Sequence, residues 1–169
     1  MPRIRTSLVL VASLIVFAPA LRAQDLGIDV GKTPPPASVE TLDGRKLDLS
    51  RYVGKGPVLI EFWATWCPSC RELMPTLLAA EKKYGKRVKF LAVAVNVNQS
   101  AERVRRFLAA HPLPHETVWD VNGTAAEAFD APATSYVVVL NSKGVVVYTG
   151  LGGRQNLDAA IAKGLQPTS

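Results

Sequence analysis

Sulfur and imidazole are scarce in this chain: its 169 residues include two cysteines, two methionines and two histidines. So little cysteine excludes a multiply stapled scaffold. A structural zinc centre takes about four ligands, and here His111 and His115 would have to join both cysteines. Those histidines lie around Pro112 and Pro114 and read as helix-end and loop residues. Runs of one charge are also missing. Lys82 and Lys83 follow Glu81, and Arg103, Arg105 and Arg106 follow Glu102. That interleaving describes solvated helix faces and argues against nucleic-acid binding. No internal repeat and no second composition regime is present, so a single domain is expected. The apolar run Leu8 to Phe17 is shorter than the roughly 20 residues that a bilayer span needs.

That short run has a different reading. Arg3 and Arg5 precede it, and small residues follow at Ala18-Pro19-Ala20 and Leu21-Arg22-Ala23, the pattern of a secretory signal over residues 1–23. The expected consequence is an exported, periplasm-type protein, membrane-anchored only if the signal stays uncleaved. No cysteine follows the run, which argues against a lipoprotein anchor. Removal of Arg3, Arg5 and Arg22 would lower the formal charge from +6 to +3. Residues 24–169 then form the domain.

Periodicity supplies its elements. Gly27 to Pro36 is an extended lead-in with three consecutive prolines. Ser38 to Leu42 and Lys46 to Leu49 read as a hairpin closed by a two-residue Asp43-Gly44 turn. Val58 to Trp63 is apolar at nearly every position, as in a strand buried on both faces. Pro68 to Tyr84 has helical spacing through Leu73, Leu77, Leu78 and Glu81. A strand follows at Val88 to Val95 and a helix at Ala101 to His111. A short strand at Glu116 to Trp119 and a short helix at Thr124 to Phe129 come next. The chain closes with strands Tyr136 to Leu140 and Val145 to Tyr148 and a helix from Asn156 to Leu165. This order predicts an α/β domain with a mixed central sheet covered by helices on both faces.

The two cysteines stand in Trp66-Cys67-Pro68-Ser69-Cys70, where the buried strand gives way to the helix. A bridge between residues three apart closes almost no loop and so contributes little as a staple. The position suits chemistry better. The free N–H groups and dipole of a helix start favour a thiolate, the nucleophile of disulfide exchange. Cys70, one turn later, can attack a mixed disulfide formed on Cys67. Pro68 fits the first turn, where its missing N–H costs nothing.

Glu61-Phe62-Trp63-Ala64-Thr65-Trp66-Cys67-Pro68-Ser69-Cys70 resembles the active-site strand and helix start of the TlpA/ResA group of periplasmic thioredoxin-like reductases. The resemblance runs from about Gly31 to Leu165 and includes Pro75 within the helix. It implies a thioredoxin-like fold and exchange with protein thiols and disulfides, as a reductant fed by a membrane electron donor, with no cofactor. It further implies that Cys67 attacks and is the more exposed thiol, and that Cys70 resolves. Glu61 takes the family position of a buried acid beneath the pair, where desolvation would raise its pKa and let it take the Cys70 proton. Trp66, Pro68, Thr134 and Ser135 would receive the partner.

Two positions depart from the family. Leu73 stands where many relatives carry glutamate, and Glu72 is turned about 100° away on a helix. Ser135 stands where the family places a cis-proline, with Pro132 three residues earlier. The Thr134–Ser135 bond is therefore expected to be trans, with the serine hydroxyl and N–H facing Cys67. Copper(I) binding by the thiol pair is the competing function, though no methionine or histidine cluster accompanies it. A thiol peroxidase is a weaker alternative, because the Thr-x-x-Cys arrangement is missing.

Overall fold

One mixed sheet of seven strands organises the protein in a computed structural model that describes residues 27–167. The signal reading of residues 1–23 lies outside those residues. In chain order the elements are β1 (Ser38–Thr41), β2 (Lys46–Asp48), a 3-10 turn (Leu49–Arg51), β3 (Val58–Trp63), α1 (Pro68–Tyr84), β4 (Lys89–Val95), α2 (Ala101–Ala110), β5 (Glu116–Asp120), α3 (Thr124–Ala128), β6 (Tyr136–Leu140), β7 (Val146–Leu151) and α4 (Leu157–Gly164). The spatial order is β2-β1-β5-β4-β3-β6-β7. Strands β3, β4 and β5 are parallel, and β1, β2, β6 and β7 join antiparallel.

Central position explains the composition of β3. It pairs with β4 on one side and β6 on the other, and all six of its residues are buried. The crossovers β3-α1-β4 and β4-α2-β5 run in the same direction across the sheet, so right-handed connections put α1 and α2 on one face. Leu59 packs there with Leu73 and Leu77 of α1 and with Leu157 and Ile161 of α4. Trp63, two positions of the same parity further on, meets Phe107 of α2 at 5.6 Å. On the other face Phe62 packs against Phe129, at the end of α3, and Tyr136, at 5.4 and 5.9 Å.

Two local expectations need correction. The β1–β2 hairpin has a three-residue loop, because Thr41 N–H donates to Arg45 O and Gly44 N–H to Thr41 O. A type I turn followed by Gly44 at φ +88° is the geometry that closes such a loop, and only glycine adopts that last conformation without cost. On α1 the buried stripe is Leu73, Leu77 and Ala80, whereas Leu78 is exposed. Its angular position, next to Leu77, carries it over the edge of the covered face.

Candidate active site at the start of helix α1

The parallel strand β3 ends at Trp63, and the chain turns through Ala64, Thr65 and Trp66 before α1 begins. Arg71 Nη1 donates to Thr65 O at 3.5 Å, and Gln99 accepts the Thr65 N–H at 2.9 Å while donating to Val95 O at 2.6 Å. Gln99 thereby ties the turn to the end of β4. Nothing in the sequence singled it out, since a lone glutamine in a loop has no spacing signature.

Cys67 is the N-cap of α1, and its sulfur accepts the Cys70 N–H at 3.0 Å. Ser69 Oγ lies 3.4 Å from the same sulfur. Cys67 and Cys70 are joined as a disulfide with their Cα atoms 5.3 Å apart. Both are buried, Cys67 at 1% exposure and Cys70 at 2%. The expected greater exposure of Cys67 is therefore not met in this bridged form. The reason is local: its sulfur is turned onto the helix start by the bridge and by the Cys70 N–H.

Glu61 is 1% exposed. Alternation along β3 puts it on the α1 face with Leu59, one step nearer the end of the strand that leads to the dithiol. Neither of its carboxylate oxygens has a hydrogen-bond partner, and Trp63 Nε1 and Thr65 Oγ1 of the same stretch are also buried without one. Burial alone pushes the Glu61 carboxyl from 4.5 up to about 8, because desolvation penalises the charged form. Glu72 points away as the helix geometry requires: it is exposed and accepts from Arg154 Nε at 2.6 Å. Leu73 is fully buried.

The four residues expected to receive a partner separate into two groups. Trp66 is half-buried, with its indole N–H donated to Val97 O at 2.8 Å. Together with Val97, Asn96, Pro132 and Thr134 it lines a groove of about 400 Å³ beside the dithiol turn. Pro68 is exposed at the helix start. Ser135 lies behind this surface, fully buried and at φ +63°. Its N–H donates to Phe62 O at 2.9 Å and its hydroxyl to Gly152 O at 3.1 Å. Its carbonyl accepts from Gly152 N and Gln155 Nε2. The expectation that its hydroxyl and N–H face Cys67 is thus corrected: sheet pairing and the β7 end take both groups inward. The described residues contain no cis peptide bond. Gln155, which links this loop to Tyr148 and Gly152, had no sequence signal either.

Among the described residues no three histidine, cysteine, aspartate or glutamate side chains gather into a metal-binding group. His115 is engaged with Glu81 at 2.6 Å, and His111 is stacked on Phe107 with ring centroids 4.7 Å apart.

A mixed sheet carrying a Cys-x-x-Cys pair at the start of a helix defines the thioredoxin class of redox protein. The chain belongs to the Redoxin family, whose model matches residues 29–164. It is 32% identical to the thioredoxin-like protein YneN of Bacillus subtilis over 73% of this chain and 72% of that one. It is 31% identical to the thiol-disulfide oxidoreductase ResA of the same organism over 71% of this chain and 66% of that one. A crystal structure from Chlorobium tepidum assigned as the thiol:disulfide interchange protein DsbE shares the fold, with a TM-score of 0.72 and 24% identity, over 82% of this chain and 99% of that one. With Cys67 and Cys70 bridged at the helix start, the protein is a thioredoxin-type dithiol–disulfide oxidoreductase of the TlpA/ResA kind. These relatives do not favour the copper-carrying alternative.

Proposed function

We propose that the protein reduces disulfides of exported proteins, with Cys67 as nucleophile, Cys70 as resolving thiol and Glu61 as the proton acceptor for Cys70. The observation that carries the assignment is the Cys67 sulfur at the N-cap of α1, accepting the Cys70 N–H. That donor and the helix dipole would stabilise negative charge on Cys67 in the reduced protein.

The Cys67 thiolate attacks one sulfur of the partner disulfide. The partner S–S bond breaks, one partner cysteine leaves as a thiolate, and a Cys67–partner mixed disulfide forms. Cys70 then gives its proton to the Glu61 carboxylate and attacks the Cys67 sulfur. The mixed disulfide breaks, and the second partner cysteine leaves as a thiolate that takes up a proton. Two electrons pass to the partner, and Cys67 and Cys70 end as the observed bridge. With the Glu61 carboxyl pushed up to about 8 by burial, the ionised form that accepts the proton grows as pH rises toward that value. A dithiol donor at the membrane would return the pair to its reduced state.

Partner segments would lie in the groove between Trp66 and Thr134, beside exposed Pro68, with Ser135 shaping its rear. Residues 1–23 support export as a cleaved signal or an anchor, leaving residues 24–169 as the working domain. No helix among the described residues is long and apolar enough to cross a membrane. Cys70→Ala tests the assignment directly. Expressed in cells, it should accumulate mixed disulfides on Cys67 that dithiothreitol releases. If Cys67→Ala traps partners and Cys70→Ala does not, the two roles are reversed.

A further inference from the structure

The tertiary structure gathers cations that the sequence scatters. Arg51 and Lys55, from the segment before β3, meet Lys86 and Arg87, from the turn between α1 and β4, and Lys89, which begins β4, around an open hollow of about 450 Å³. The hollow lies where β3 and β4 begin, at the Val58–Lys89 pairing. The dithiol turn leaves the opposite end of β3, about 17 Å away at the usual rise per residue.

Only Lys89 has a carboxylate partner here: its Nζ donates to Glu116 Oε2 at 2.9 Å, and Tyr52 OH donates to Glu116 Oε1 at 2.8 Å. Arg51 is attracted to the same Glu116 carboxylate at longer range, whereas Lys55, Lys86 and Arg87 have no ion-pair partner among the described residues. Aromatic rings hold several of these cations in place. Arg51 and Lys89 each sit 5.5 Å from the centre of the Tyr52 ring, and Arg87 sits 5.8 Å from that of Tyr84. The C-terminal end of α1 gives a local reason for Lys86 and Arg87, since its dipole favours positive charge. It gives none for Arg51 and Lys55, which arrive from a different segment. Like charges converging on one hollow repel unless an anion enters it.

We propose that this hollow binds a phosphate-bearing ligand, either a phospholipid headgroup or a free phosphate compound. Two guanidinium groups offer planar donor pairs that match phosphate oxygens, and the lysines add mobile charge. Backbone at Gly56 and Gly85 lines the hollow between them, leaving room for a group larger than a single carboxylate. A headgroup bound there would hold the protein with its dithiol turned outward, away from the surface it rests on.

The test uses inorganic pyrophosphate in calorimetric titration and vesicles of phosphatidylglycerol, against phosphatidylcholine, in co-sedimentation. The full chain should bind at least one anionic probe, and which one distinguishes the headgroup from the free compound. Reversal of three cations of the hollow, Lys55→Glu, Lys86→Glu and Arg87→Glu, should weaken binding at least tenfold. Reversal of three exposed cations elsewhere, Lys46→Glu, Arg103→Glu and Arg106→Glu, should leave it within about twofold at the same net charge. Both variants should keep a cooperative melting transition and the wild-type disulfide-reduction rate, since none of these residues bonds to Cys67 or Cys70. Failure of the wild type to bind either probe overturns the proposal. So does equal loss in the two variants, which would show attraction to net charge alone.

Discussion

The two walls of the dithiol groove are built on different terms. One is the turn from Trp63 to Cys70, where the backbone follows local preference. Buried β3 ends, Cys67 caps a helix, and Pro68 fills a position that needs no N–H. The other is the segment from Asp130 to Ser135, which holds two non-glycine residues at positive φ, Asp130 at +45° and Ser135 at +63°. A residue with a side chain adopts that region at a cost of about 1–2 kcal/mol. At Ser135 four hydrogen bonds, to Phe62, Gly152 (twice) and Gln155, offset it. The first wall is held by local preference and the second by what surrounds it.

The largest expected effect comes from forcing the second wall to obey a local rule. Ser135→Pro would require φ near −65° where the chain has +63°, and would remove the N–H donated to Phe62 O. The loss should be about 3 kcal/mol or more, read as a fall in the urea midpoint. Ser135→Gly sharpens the contrast, because it relieves the backbone and sacrifices only the hydroxyl bond. Its stability should stay within about 1 kcal/mol of wild type. A Ser135→Pro protein as stable as wild type would show that the second wall is not held in the left-handed conformation.

Glu61, in the strand that leads into the first wall, breaks the rule that buried polar groups are paired. Its folded pKa of about 8 lies above the ordinary value of 4.5. Between those values the folded protein keeps a proton that the unfolded chain has released. Stability from this group is therefore full below pH 4.5 and falls as pH rises to about 8. Glu61→Gln should remove that slope and raise stability at pH 7 by about 2–3 kcal/mol, measured by urea unfolding at pH 5, 7 and 9. The same variant should slow release of the mixed disulfide. A rise in stability with unchanged release across pH 6 to 9 would leave Glu61 without a chemical role.

The smallest effect tests whether the walls act together on a partner. Trp66→Ala removes the indole that floors the groove and donates to Val97 O. It should raise KM for a protein disulfide such as insulin by about tenfold, equivalent to about 1.4 kcal/mol of binding. The rate with a small aromatic disulfide, which needs no groove, should change less than twofold. Equal losses on both substrates would mean that Trp66 supports the dithiol and not the partner.

Much of this could be read in advance, and the reason differs by element. The bounds of β3, α1 and β6 follow from local signals: an all-apolar run, a cap followed by proline, and β-branched repetition. The burial of Glu61 was legible because its apolar neighbours leave a central strand no exposed face. The pairing of Trp66 with Thr134 in one groove was not, since no period links positions so far apart. Gln99 and Gln155 were invisible for the same reason, as were the cations that meet between Arg51 and Lys89.

By itself the sequence determined the order of elements, the dithiol at the head of a helix and the buried acid in the strand that precedes it. Each depends on residues adjacent in the chain, where backbone preference and hydrophobic period act directly. The tertiary structure alone decided the left-handed, inward-facing Ser135, the closure of the groove and the basic hollow at the far end of the sheet. Those depend on hydrogen bonds and charges brought together by strand pairing, and no local preference encodes which distant residue will be the neighbour.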